Sequence, residues 1–204
     1  MSNRSVITIG NFDGVHRGHQ QLLLRAKQWA SENGGNVIVM SFDPHPMSIL
    51  KPELAPRRLS TVARREQILK ELGADQVVFL EPKKDLLQLE PEDFVRQVVE
   101  QYQPAVLVEG NDFRFGRQRR GDIKLLAEIG GKSGFQIDIV PTCDVVLSNH
   151  HIVRVSSSLV RWLIEKGRVA DAEIAIGRPY TFESIVVTGE KVGRQLGFPT
   201  SILI

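Results

Sequence analysis

His16 and His19 lie three residues apart in the segment Thr8-Ile9-Gly10-Asn11-Phe12-Asp13-Gly14-Val15-His16-Arg17-Gly18-His19. Residues at that spacing on a first helical turn face the same way. The unpaired N–H groups and the positive dipole end of the turn then favour an anion beside them. The chemistry this suits is the gripping of a phosphate chain. Gly10 and Gly14 let the backbone turn tightly and approach a ligand closely, and Gly18 keeps the space between the imidazoles open. A bland reading, two surface or capping histidines, competes with this one. The strand pattern before the pair, the helical pattern after it and the acidic turn residue between them favour the phosphate site. Asp13 itself reads equally well as a helix cap, as a group that orients a histidine, or as a ligand contact.

Three further segments carry chemistry. Ser156-Ser157-Ser158 precedes a helical run and offers hydroxyls and helix N-terminal N–H groups to phosphates. Arg161, one turn on, can reach the same anions, and Arg154 joins from the preceding strand. Alone, the segment would read as a serine N-cap with a surface arginine. Asn111-Asp112-Phe113-Arg114-Phe115-Gly116 leads into a loop with further arginines at 117, 119 and 120. Such a loop suits an aromatic ligand that carries a phosphate. Phe113 and Phe115 alternate, so one packs inward while the other meets a ring; the competing reading is a solvated arginine loop over core phenylalanines. In Asp43-Pro44-His45-Pro46 the prolines stiffen a loop, and His45 has only a supporting place. Asn149-His150-His151 lacks the carboxylates and the geometry of a metal site, and no metal-binding residue is assigned.

The elements that must position these groups alternate. Val6-Ile7-Thr8-Ile9 reads as a buried strand, followed by an amphipathic helix from Gly18 to Ser31. Asn36 to Phe42 is nearly all apolar, as in a parallel strand covered on both faces. Arg64 to Leu72, capped by Ser60 or Thr61, precedes a strand over Gln76 to Leu80. A helix from Pro91 to about Tyr102 precedes a strand over Ala105 to Val108, and a helix from Asp122 to Ile129 precedes a strand over Gln136 to Val140. A doubly wound parallel α/β sheet follows, with the motifs converging at its carboxyl edge. A serine-capped helix ending near Gly167 and a short helix from Val169 to Ile176 come next. From Thr181 to Thr188 the pattern turns to β-formers punctuated by Gly189, Gly193 and Gly197, the start of an all-β unit.

With 204 residues, 42% hydrophobic and 25% charged, the chain holds one good core and the beginning of a second. A formal net charge of +2 gives little bulk attraction to nucleic acid or an anionic membrane. The single cysteine, Cys143, forms no internal disulfide and reads as a buried small hydrophobe in a reducing compartment. No secretory leader or apolar run long enough to span a bilayer is present, so a cytoplasmic setting is expected.

The string Gly10-Asn11-Phe12-Asp13-Gly14-Val15-His16-Arg17-Gly18-His19 resembles the H-x-G-H nucleotidylyltransferases, and among them the FAD synthetase branch. Ser41-Phe42-Asp43-Pro44-His45-Pro46, Gly110-Asn111-Asp112-Phe113-Arg114-Phe115-Gly116 and Val155-Ser156-Ser157-Ser158-Leu159-Val160-Arg161 are similar to that branch's motifs, in its order. The stretch from Gly177-Arg178-Pro179-Tyr180 through Gly197-Phe198-Pro199-Thr200 resembles the opening of the riboflavin kinase domain of bifunctional bacterial members. The resemblance implies a Rossmann-like domain over 1–176, then an incomplete β-barrel segment over 177–204. It implies ATP and FMN as substrates, FAD as product, and Mg²⁺ carried with the ATP. His16 and His19 would contact ATP phosphates, with His19 stabilising charge that develops on the transferring group. Gly10, Phe12, Gly14, Gly18, Arg154, Ser157, Ser158 and Arg161 would surround the nucleotide, and Asp112, Phe113, Arg114 and Phe115 the flavin. Serine stands at 158 where the family usually has threonine. Isoleucine stands at 202 where the kinase motif has asparagine, so riboflavin phosphorylation is not expected of this polypeptide. Two rivals stand beside FMN adenylylation: transfer to another phosphorylated acceptor, such as phosphopantetheine or a choline-phosphate-like compound, and a flavin- or nucleotide-binding remnant without catalysis. An incomplete barrel would also expose strand edges that favour self-association.

Overall fold

The computed structural model describes residues 4–187, 197 and 202–203. In chain order, β1 (Ser5–Gly10), α1 (Arg17–Asn33), β2 (Asn36–Phe42), α2 (Met47–Leu50), α3 (Val62–Glu71) and β3 (Gln76–Leu80) make the first half. Then follow α4 (Lys84–Gln88), α5 (Pro91–Tyr102), β4 (Pro104–Gly110), α6 (Ile123–Ser133) and β5 (Gln136–Val140). The five strands form one parallel sheet in the order β3-β2-β1-β4-β5, a Rossmann-like α/β arrangement.

Strand alternation divides the core. Ile7, Ile9, Ile38, Met40 and Leu107 face one side, where Phe94, Val95 and Val98 of α5 and Leu126 of α6 cover them. Val6, Val37 and Val106 face the other, under Ala26 of α1, while Val39 packs with Leu23 of α1 and Ile68 and Leu69 of α3. With a helix on each face, strand residues of both parities are buried, so the strands read as unbroken apolar runs.

The carboxyl edge splits where the winding reverses. β1 stays paired with β2 to Gly10 and Ser41, and β4 with β5 to Gly110 and Val140. Between β1 and β4, however, the ladder stops at Ile7 and Leu107. A crevice opens at that switch point, as open sheets of this kind provide for a ligand.

Beyond the sheet, β6 (Asp144–Val146) and β7 (Ile152–Arg154) form an antiparallel hairpin, followed by α7 (Ser157–Glu165) and α8 (Val169–Ile176). Val155, Val160, Leu163, Ala172, Ala175 and Ile176 make a satellite core with Leu59 and Cys143, which seats the start of α7 beside the β1–α1 turn. The hairpin, α2 and α4 are additions to the sequence expectation, since elements of three to five residues show too little periodicity to read. Asn149-His150-His151 forms the exposed turn of the hairpin, with His150 at φ 64°, rather than an extended segment. Cys143 is 8% exposed. In the last segment β8 (Val186–Val187) pairs antiparallel with β9 (Ile202–Leu203). Gly189, Gly193 and the Pro199-Thr200-Ser201 motif lie outside the described residues.

Candidate functional site

The crevice between β1 and β4 is a cleft of about 520 Å³ whose wall includes Gly10, Phe12, His16, Gly18 and His19 from the β1–α1 segment. His16 is the N-cap of α1, and its Nδ1 accepts the His19 N–H at 3.4 Å. That bond leaves the ring proton of neutral His16 on Nε2. The two imidazoles stack, centroids 3.7 Å apart and planes 16° from parallel, and His19 leans on the buried Phe12 ring at 4.9 Å. Gly10 makes room for Phe12, since a Cβ there would come within 3.1 Å of that ring. Gly18 serves the His16 ring rather than a gap between the imidazoles, for its Cβ would lie 3.2 Å from His16 Cε1.

Neither imidazole is cationic at neutral pH. Burial pulls the pKa of His16 down to about 4, and the nearby Arg161 charge adds to this. His19 is held well below 6.5 by burial, with contributions from His16 and Arg65. The pair therefore presents polarised N–H donors in a field of fixed arginines, and an arriving polyphosphate would raise both pKa values. A stability consequence follows with a definite sign. Unfolded His16 takes up a proton near pH 6.5 while the native ring resists until about 4. Its contribution is complete above 6.5 and declines by about 3 kcal/mol as pH falls through that window. Proton NMR should find the His16 titration midpoint near 4 and moved upward by pyrophosphate; a midpoint near 6.5 in the free protein would refute the buried, neutral pair.

Asp13 settles into a role that none of its expected readings describes. Asp13 is 5% exposed as a residue, and its carboxylate accepts N–H bonds from Leu59 and Ser60 at 3.0–3.1 Å and from Arg161 Nη2 at 2.6 Å. Arg161 Nε also donates to the Arg57 carbonyl at 2.6 Å. Arg161 is thus an anchored cation next to the histidines, not a free fork lining the cleft. Ser157 Oγ donates to the Asp13 carbonyl at 2.9 Å, which ties the start of α7 to the histidine turn. Ser156 caps α7 through Leu159 N–H and is the serine that reaches the cleft wall; Ser158 is exposed, and neither Ser157 nor Ser158 lines the cleft. Gly14 also lies outside it, with φ 77° and its N–H donated to Ser60 Oγ at 3.3 Å.

Of the residues expected around the flavin, Asp112 and Phe113 line this same cleft. Phe115 does not: it is 6% exposed, stacked beneath Phe113 and packed on Phe94, because its alternate position turns it into the core. Arg114 points away and pairs with Asp122 at 3.4 Å. Arg154 lines the cleft and pairs with Asp112 at 2.5 Å, so residues expected to face two substrates meet across one mouth. On the other side of the histidine turn, a second cavity of about 160 Å³ is lined by Asn11, Asp43, His45, Arg58 and Arg65 among others. His45 Nε2 lies 3.2 Å from Asn11 Nδ2, and its Nδ1 accepts the Met47 N–H.

Three residues of consequence escape the sequence reading. Arg65, 3% exposed, donates to Ser41 Oγ, Phe42 O and Asn11 O and pairs with Asp43, joining the ends of β1 and β2. Arg178 reaches back to the carbonyls of Gly14 and Val15 at 2.9 and 3.0 Å. It braces a turn in which Phe12 and the β-branched Val15 hold φ of 49° and 39°, a conformation that persists only where neighbours enforce it. Glu109 lies in the cleft wall, and burial raises its carboxyl well above the usual range. A charged residue closing the apolar run Ala105-Val106-Leu107-Val108 was the available signal.

Known proteins resemble this chain. Over 198 residues the chain is 36% identical to the bifunctional riboflavin kinase/FMN adenylyltransferase of Escherichia coli K12, covering 96% of this chain and 61% of that protein. The protein of the same description from Pseudomonas fluorescens is 38% identical over 197 residues, with 96% and 61% covered, and that of Bacillus subtilis 168 is 32% identical over 201 residues, with 97% and 61% covered. The chain thus spans 61% of the length of these relatives. A crystal structure described as a macrolide-efflux protein from Streptococcus pneumoniae superposes with a TM-score of 0.86 at 27% identity, covering all of this chain and 65% of that one. A riboflavin kinase family model matches residues 176–203. The histidine turn, the Asp112-Phe113 loop and the serines that open α7 all fall within residues 1–158, the stretch matched by the FAD synthetase family model, and the chain belongs to that family.

Proposed function

We propose that this chain transfers the adenylyl group of ATP to the phosphate of FMN. A phosphate oxygen of FMN attacks the α-phosphorus of ATP, the bond from that phosphorus to the β-bridging oxygen breaks, and pyrophosphate leaves. The observation that carries this reading is the stacked pair His16 and His19 at the α1 N-terminus, opening onto the β1/β4 cleft. Side chains that present N–H donors there stabilise the charge spread over the transferring group without a covalent intermediate. Phe113 offers its face to the planar ring of one substrate, and the cavity beside His45 gives the other an approach from the far side of the histidines. Arg161 and Arg65 supply fixed positive charge. Among the described residues no cluster of three His, Cys, Asp or Glu side chains could hold a metal. In this reading Mg²⁺ arrives with the nucleotide, on its phosphate oxygens, and no residue is assigned to it.

In this reading residues 1–176 are the adenylylating unit and 177–204 the beginning of a riboflavin kinase barrel, with Arg178 gripping the histidine turn from the second segment. A cytoplasmic setting supplies the ATP. Incubating the purified chain with MgATP and FMN should give FAD and pyrophosphate in equal amounts, read by chromatography and a phosphate-release assay. A folded chain that binds either substrate but yields no FAD would favour a binding module instead. Adenylylation of a different phosphorylated acceptor in preference to FMN would reassign the substrate.

A further inference from the structure

Where β1 and β4 part, the backbone leaves a donor to be satisfied. The ladder between them ends at Ile7 and Leu107, and the next inward N–H, that of Ile9, donates to Glu109 Oε1 at 2.7 Å rather than to a β4 carbonyl. Glu109 is 1% exposed yet forms part of the cleft wall. Among the described residues this is the one hydrogen bond to its carboxyl. The second carboxyl oxygen has no hydrogen bond among the described residues and is not sealed off by protein, so it is left for whatever fills the cleft.

We propose that Glu109 determines specificity in the cleft, its free carboxyl oxygen hydrogen-bonding the polar edge of the planar heterocycle that lies against Phe113. This rests on the FMN adenylylation reading for the identity of the two candidate rings, adenine and isoalloxazine. Each presents an acceptor atom at its polar edge, which a neutral carboxylic acid meets with the O–H of its free oxygen while the other oxygen keeps the Ile9 N–H. Burial, with the charge of Asp112 adding to it, raises the Glu109 carboxyl well above its usual range and so favours that neutral form. The titratable and charged groups facing the cleft around it are Asp112, Arg154 paired with Asp112, Cys143, His16 at the cap of α1 and His19. Its strand neighbours Ile9 and Ile139 carry no charge. An uncharged acid can meet an uncharged ring edge without the cost of a buried ion.

The test is calorimetric binding of ATP and of FMN, separately, to the full chain and its variants from about pH 6 to about pH 9, beside steady-state KM values. E109Q keeps an acceptor for Ile9 and a donor for the ring. It should bind within about threefold of the parent at the acid end, whereas E109L should weaken one ligand by about tenfold or more, the effect of an unpaired buried group. The parent should also lose affinity for that same ligand as pH rises, a loss that E109Q lacks. The ligand that responds identifies the ring. Unchanged affinity in E109L, or pH profiles that superimpose for the parent and E109Q with both ligands, would overturn the proposal. Should E109L fail to fold, the E109Q profiles decide alone. If binding responds as expected but no FAD forms, Glu109 keeps its role and the FMN adenylylation reading fails.

Discussion

His19→Ala is expected to lower kcat for FAD formation by about two to three orders of magnitude, the usual loss when one preorganised donor is taken from a developing anion. The ring it removes sits between Phe12 and His16, 4.9 Å and 3.7 Å away centroid to centroid, and is held by packing before any substrate arrives. An interaction realised mainly in the transition state should appear in kcat, with the dissociation constant for FMN little changed. His16→Asn provides the contrast. Asparagine keeps an N-cap acceptor for the α1 N-terminus, so helix stability survives while the second imidazole is lost. Stopped-time assays with both variants decide the point: a kcat for His19→Ala within about tenfold of the parent would remove His19 from the chemistry.

Asp13→Ala should have the largest effect on stability. Asp13 and Arg161 form an ion pair at 2.6 Å with side chains only 8% and 15% exposed, and the same carboxylate holds the Leu59 and Ser60 N–H groups. Removing it leaves a partly buried guanidinium and two amides without their acceptor. Breaking one partner of such a pair costs about 3–5 kcal/mol, which for a chain of this size means a melting point lower by about 10 °C. Thermal denaturation followed by circular dichroism measures it. Asp13→Asn should recover part of the loss, because an amide oxygen still accepts an N–H while its amino group opposes Arg161. A shift of under about 2 °C for Asp13→Ala would show that other contacts hold the loop. FAD synthesis should fall as well, since Arg161 would lose the anchor that sets its charge beside His16.

How much of this was legible beforehand depended on the range of the interaction. The apolar runs of β1, β2, β3, β4 and β5 and the periodicity of α1, α3 and α5 reveal themselves locally, because backbone hydrogen bonding imposes a repeat that side chains must follow. Two caps read equally well: Thr61, one of the two candidates at its helix, and Ser156 each accept the N–H three residues on, a contact within one turn. The motif order carried the family resemblance. The alternation of Phe113 and Phe115 showed that one of them turns inward, but which one depended on where α5 places Phe94.

What sequence alone determined, then, was the succession of strands and helices and the placing of the histidines at a helix start. Only the tertiary structure decided which charges are free and which are spent. Asp13 meets Ser60 across 47 residues and Arg161 across 148, and Arg154 meets Asp112 across 42. No local pattern encodes such pairs, because an ion pair is selected by distance and desolvation after the chain has closed on itself. The same reason hid Glu109. Its raised carboxyl and its position in the wall of the cleft arise from two strands that run side by side and then diverge, a relation belonging to the sheet and to neither strand alone.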